Sequence, residues 1–406
     1  MWRVIIAEAP PPSRLLSLDA FRGATIAMML LVTDPGSYAA VYPQLLHAAW
    51  NGLTATDLVS PCFLLSVGIS FSLSFTARLG RGATRGQLAL HVVRRSLWLV
   101  LLGLVVNGFP AYHLPTLRLP GILQKIAFCY LLAALLYLAC CGPGFQTGPD
   151  RQPSPRRSAV LLAAALLLLL GYWALLRYTP VPGFGPNRLD PVGYLGAWLD
   201  RRLFTVAHLW PWGTPTGTRP GQGVTYDPDG LLSSVPAVAT VLFGALCGEW
   251  LQTARSGARK LVGMVVAGAV LTAVGEAASL AVPFNKRIWT SSYGFFVSGA
   301  ALLLFALFYR VIDLGRWRRG LAPLLVLGTN AIFAFILGSL LTSLASLISL
   351  RGQGGRPTHV PGWVYAHLLT LSLPPRIASL TYALLFVAVN VALVSVLYRR
   401  RIFLRL

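Results

Sequence analysis

The chain has 406 residues, 55% of them hydrophobic and 11% charged. Soluble domains carry about 25% charged residues, so a soluble globular protein is excluded. All five cysteines fall in or beside apolar runs, where a thiol is a small hydrophobe, which argues against a disulfide framework or a metal site. The net charge of +22 points first to nucleic acid, and its placement removes that reading.

Apolar segments able to cross the roughly 30 Å hydrocarbon layer as helices recur at about 20–33, 55–76, 91–107, 121–141, 158–178, 230–252, 260–282, 290–311, 321–348 and 376–398. The pattern predicts an all-α, polytopic bundle of about ten spans forming a single transmembrane domain over 1–406. Alternate loops carry unequal charge: 21 Lys and Arg lie on the side holding both termini, against 11 spread over longer loops opposite. This is the positive-inside bias, which sets both termini in the cytoplasm. The basic excess is thus topology; membrane lipid is an expected partner and nucleic acid is not. The loop at about 179–229, rich in Pro, Gly, Trp and Tyr, reads as a folded cap on the outer face. The cytoplasmic stretch CGPGFQTGPDRQPSPRRS reads as a linker.

In chain order, Asp19 and Arg22 open the first span as a local ion pair. The outer loop LLHAAWNGLTATDLVSP follows, with His47 beside Trp50 and Asn51 where the chain re-enters the membrane. Asp57 suits the first turn of the next helix, which Thr54 or Thr56 can cap. On the inner side, Arg78, Arg94 and Arg95 can meet phosphates or simply serve topology. Lys125, inside the fourth span, needs a carboxylate, a phosphate or water. Glu249 lies near the inner end of the sixth span, within reach of water. Glu276 ends the seventh, ahead of PFNKRIWTSS with Asn285, Lys286 and Trp289. Ionisable groups in spans tend to line interior cavities, which predicts a polar cavity opening outward with His47, Asp57, Glu276 and Lys286 near its rim. His208, Trp210, Trp212, Tyr226 and Asp227 give the cap aromatic faces and carboxylates for a sugar.

The blocks RLLSLDAFRGATIAMMLLV, HAAWNGLTATDLVSPCFLLSVGIS, RLPGILQKIAFCYLLAALL, YDPDGLLSSVPAV, PFNKRIWTSSYGFF and GTNAIFAF, in this order, resemble the heparan-alpha-glucosaminide N-acetyltransferase family of transmembrane acyltransferases in its ten-span bacterial form. The resemblance implies transfer of acetyl from cytoplasmic acetyl-CoA, a co-substrate, to the amino group of a glucosamine-type acceptor outside, in a multi-pass protein of the bacterial cytoplasmic membrane. It also implies a homodimer, no metal, and a catalytic role for His47 in the H-x-x-W-N-G block. Thr33 stands where the family often has asparagine. His47 is either the base or the acetyl carrier, with Asp57 as its orienter and Asn51, Thr33 or a helix-end amide as oxyanion donor. Lys125, Arg78, Arg94 and Arg95 are the candidates for coenzyme A; Trp50, His208, Tyr226, Asp227, Glu276, Asn285, Lys286 and Trp289 are those for the acceptor. The alternatives are a secondary transporter for N-acetylglucosamine or related amino sugars, and an O-acyltransferase for an envelope glycan.

Overall fold

A computed structural model describes residues 4–6, 15–141, 154–214, 223–352, 357–370 and 372–404. Most of the expected linker and part of the cap, 215–222, lie outside them. Among the described residues, nine helices are long and apolar enough to cross a membrane, or ten if one sharply bent pair counts as a single span. The chain divides into two compact units, one made of 1–48, 54–63 and 307–406, the other of 49–53 and 64–306.

In the first unit, α1 (Leu16–Thr33) packs on α10 (Ala322–Thr329) and on α13 (Pro375–Arg399). The contact with α10 is backbone-close: a Cβ added at Gly328 would stand 1.8 Å from the carbonyl oxygen of Asp19, so only glycine fits there. The expected span at 321–348 is not straight. It breaks by 91° between α10 and α11 (Ala331–Leu347), at Asn330. Asn330 leaves helical geometry, and its side-chain amide donates to the Ile402 carbonyl at 3.1 Å. The charged pair Asp19–Arg22 forms as expected within α1. Short strands, absent from the sequence reading, close this unit: Val4–Ile6 pairs antiparallel with Ile402–Leu404, and Ser349–Arg351 with Pro357–His359. The second hairpin leads into a short helix, α12 (Val360–Thr370).

The second unit holds most of α2 (Val59–Leu79), then α3 (Arg85–Gly108), α4 (Ile122–Ala139), α5 (Pro155–Tyr178), the short cap helix α6 (Leu195–Leu203), α7 (Leu231–Leu251), α8 (Gly257–Ser279) and nearly all of α9 (Ser291–Phe308). Helix α3 starts earlier than its apolar run because Thr84 and Gln87 form a reciprocal capping box. At the centre, α7 has most of its residues buried. Gly68 of α2 approaches it so closely that a Cβ would lie 2.0 Å from the Val241 carbonyl oxygen. Glu249 does not reach water: it is 2% exposed and bonded to Arg157 of α5 and the Tyr137 hydroxyl of α4. A buried carboxylate needs such partners to stay folded in, and this one ties three helices at one end.

Candidate active site

His47 lies on the segment between α1 and α2, after two short 3-10 turns at Tyr38–Ala40 and Pro43–Leu45. A third, Ala55–Leu58, leads directly into α2. Thr54 and Asp57 form a capping box there, so Asp57 is fixed as the third residue of the turn. From that position Asp57 Oδ1 meets His47 Nδ1 at 2.7 Å. Its Oδ2 accepts from the Ala48 amide at 3.2 Å, the Thr54 amide at 3.0 Å and the Thr54 hydroxyl at 3.0 Å. The Asp57 side chain is 1% exposed and the His47 side chain 46%. A carboxylate at Nδ1 sets the hydrogen on that nitrogen and leaves the Nε2 lone pair for chemistry. Gln44 completes the frame, accepting from the Ala55 amide through its side chain and from the Thr56 hydroxyl through its carbonyl. Neither Thr54 as a carboxylate clamp nor Gln44 was evident from the sequence.

Thr33 does not suit the role of oxyanion donor. Its hydroxyl donates to the Met29 carbonyl at 2.7 Å, so the hydrogen an oxyanion needs is committed to its own helix. The neighbouring Asp34, missed by sequence reasoning, is buried and accepts from the Thr342 hydroxyl at 3.2 Å and the Tyr382 hydroxyl at 3.3 Å. Burial raises the Asp34 carboxyl above the ordinary carboxylate range, against the pull of those two hydrogen bonds.

In the second unit, Trp50 and Asn51 are tied to the cap and to the segment before α9. The Trp50 indole donates to the Leu189 carbonyl at 2.8 Å and packs edge-on against Tyr226 with ring centroids 5.0 Å apart. Asn51 is exposed, and its side-chain oxygen accepts from Asn285 at 3.1 Å; its own amide hydrogens are uncommitted among the described residues. Asn285, Trp289, Tyr226 and Asp227 are all buried to 2% exposure or less. Asp227 is fully spent within the protein: Arg118 grips it with two hydrogen bonds at 2.6 and 2.8 Å, and the amides of Trp210 and Asp229 donate to it. These residues form the frame of the cap, which corrects the expectation that Asp227 offers its carboxylate to a sugar. Arg118 was the missed partner. His208 is half-buried and bonded to the Leu117 carbonyl, and Lys286 is also half-buried.

The partner that Lys125 needs is internal. Its ammonium donates to the Pro228 carbonyl at 3.0 Å, lies 3.8 Å from Asp229 and sits over the Trp289 ring at 4.5 Å. It stands in the first turn of α4, twelve residues or about 18 Å from Tyr137, whose end of α4 meets Phe71 and Phe75 of α2. Arg78 closes that same end of α2, so Lys125 is not grouped with it. Arg78, Arg94 and Arg95 do come together, each near enough to His91 to act on its charge. Arg95 also stacks on Tyr130, 4.8 Å from the ring centroid. Glu276 is exposed on α8, beside exposed Ala273, Val274 and Ala277. It sits on the surface of this unit.

The family model described as "Heparan-alpha-glucosaminide N-acetyltransferase, catalytic" matches residues 14–142, a stretch holding His47, its clamp and the arginine cluster. Heparan-alpha-glucosaminide N-acetyltransferase of Homo sapiens is 29% identical over 370 residues, covering 82% of this chain and 53% of its own length. The Mus musculus protein of the same name is 28% identical over 360 residues, covering 80% and 53%. The chain is similar to the heparan-alpha-glucosaminide N-acetyltransferase family. It spans about half the length of the curated relatives it matches. The family model ends before the cap, whereas the matches to the two whole relatives are too long to fit inside it. The His47–Asp57 pair lies inside the stretch matched by the family model described as catalytic.

Proposed function

We propose that this protein is a transmembrane acetyltransferase that moves acetyl from acetyl-CoA to the amino group of a glucosamine-type sugar, with His47 as the general base. The observation that carries the reading is the half-exposed imidazole held at Nδ1 by a buried, four-times-bonded carboxylate. Attack on a thioester carbonyl needs a neutral amine that loses a proton as the bond forms. Nε2 of His47 takes that proton, and Asp57 stabilises the imidazolium while fixing the tautomer. The departing thiolate leaves as coenzyme A and can take the proton in turn. With Thr33 spent, Asn51 has the free amide hydrogens suited to an oxyanion. We assign the phosphates of coenzyme A to Arg78, Arg94 and Arg95, whose clustered charge matches them.

Purified protein in detergent should release thiol from acetyl-CoA when glucosamine is added, and His47→Ala should lower that rate by roughly 10²–10⁴-fold. Substitution of Arg94 and Arg95 by Gln should raise KM for acetyl-CoA and leave KM for the sugar unchanged. Undiminished thiol release from the His47→Ala protein would sink the assignment.

A further inference from the structure

We infer that a groove at the head of α13 in the first unit binds an anionic phospholipid, with its phosphate on Arg376 and an acyl chain against α1 and α13. The groove is a shallow surface furrow formed by Leu31 and Val32 of α1, Val41 and Leu45 of the segment that follows, and Leu380 and Ala383 of α13. Its wall is mostly apolar, with Tyr42 and Ser379 as neutral polar members and Arg376 contributing the charge.

Three observations choose the occupant. Helix α13 is long and apolar enough to span, and it leaves Leu384, Leu385 and Val389 about half exposed, so hydrocarbon covers the helix that forms one wall. The space beside that wall is therefore filled from the bilayer, because apolar surface in contact with lipid recruits lipid chains in place of water. Arg376 is exposed in the first turn of α13, where the helix dipole opposes a positive charge. Among the described residues it has no carboxylate partner. A guanidinium at the end of a span, beside an apolar groove and without an acid of its own, is complementary to a lipid phosphate, which it can grip with two hydrogen bonds. Phosphatidylglycerol supplies a chain and a phosphate with net negative charge; in a zwitterionic lipid the choline offsets the charge of the phosphate.

The groove also touches the candidate base. Leu45 lines it, stands two residues before His47, and lies on the stretch that Thr54 and Gln44 bind to the α2 cap.

The test uses the full chain, delipidated in detergent and titrated with phosphatidylglycerol or phosphatidylcholine, with bound lipid counted by native mass spectrometry. The wild-type protein should retain phosphatidylglycerol in preference to phosphatidylcholine. Arg376→Glu, at an exposed position, should weaken phosphatidylglycerol binding by about tenfold or more, the scale of a lost charge-assisted pair, and weaken phosphatidylcholine binding less. Leu380→Trp should fill the groove and weaken both. Inorganic phosphate alone should not compete. Equal retention of the two lipids by the wild-type protein, no effect of Arg376→Glu, or displacement by free phosphate would each overturn the inference. These readouts are independent of acetyl transfer, so they stand or fall apart from the proposed activity.

Discussion

Asp57 holds the His47 ring through one oxygen and the backbone just after it through the other: Oδ1 lies 2.7 Å from Nδ1, and Oδ2 accepts from the Ala48 amide. Ring and main chain thus move as one body. Asp57→Asn keeps the shape but presents a neutral amide, which no longer selects the Nδ1–H tautomer or stabilises the imidazolium. We expect kcat for acetyl transfer to fall roughly 10²–10⁴-fold with KM for acetyl-CoA unchanged. Steady-state kinetics of thiol release decide it; a loss confined to KM would contradict the orienting role.

Thr54 is the second test of the same geometry. Its hydroxyl contacts both the Leu46 carbonyl and Asp57 Oδ2, and its amide donates to the same oxygen. Thr54→Ala should cost about 1 kcal/mol of stability, as capping losses do, and a larger share of activity through loosened placement of Asp57. Thr54→Ser restores the hydroxyl and should recover both. If Ser and Ala behave alike in kcat, Thr54 positions nothing.

The His47–Asp57 pair was legible because the two residues are ten positions apart and the S/T-x-x-D spacing marks a helix start. The cap was legible only as a cap. Its central contact joins Arg118 to Asp227 across 109 positions, and the buried pair in the span region joins Arg157 to Glu249 across 92. No local pattern announces a partner that distant, so Glu249 read as reaching water and Asp227 as offered to a sugar. The bend at Asn330 was hidden for a different reason. Hydropathy is continuous through GTNAIFAF, and what breaks the helix is a side-chain bond to a carbonyl seventy-two residues on.

Arg118 and Asp227 permit a prediction that separates frame from binding site. Removing one member of a buried ion pair strands the other charge and costs about 3–5 kcal/mol. Arg118→Met should therefore lower the melting temperature sharply, and Arg118→Met combined with Asp227→Asn should recover much of the loss. Thermal unfolding followed by intrinsic fluorescence reads this directly. If Asp227→Asn instead leaves the melting temperature alone and raises KM for the sugar, the carboxylate belongs to the acceptor.

Asp200, on the cap helix α6, makes the pH dependence testable. Its Oδ1 accepts from the Leu231 amide at 3.1 Å at the start of α7, while Oδ2 is buried without a hydrogen-bond partner among the described residues. Burial pushes its carboxyl up to about 7, aided by the negative charge of Asp227 and opposed by the Leu231 hydrogen bond and by Lys125 and Arg201. Below the ordinary carboxylate value of 3.8 the group is protonated whether the chain is folded or not, and it contributes no slope. Between 3.8 and about 7 the unfolded chain releases the proton and the folded chain keeps it. Stability must then fall as pH rises through that window, by up to about 1.4 kcal/mol per unit. Above it both states are ionised and the loss is complete. Asp200→Asn keeps the acceptor for Leu231 and removes the proton equilibrium. Its melting temperature should exceed that of the wild type at pH 8, approach it near pH 4, and show a flatter profile between. A wild-type profile that instead rises from pH 4 to pH 7 would place the proton on the unfolded chain and reject this account of Asp200.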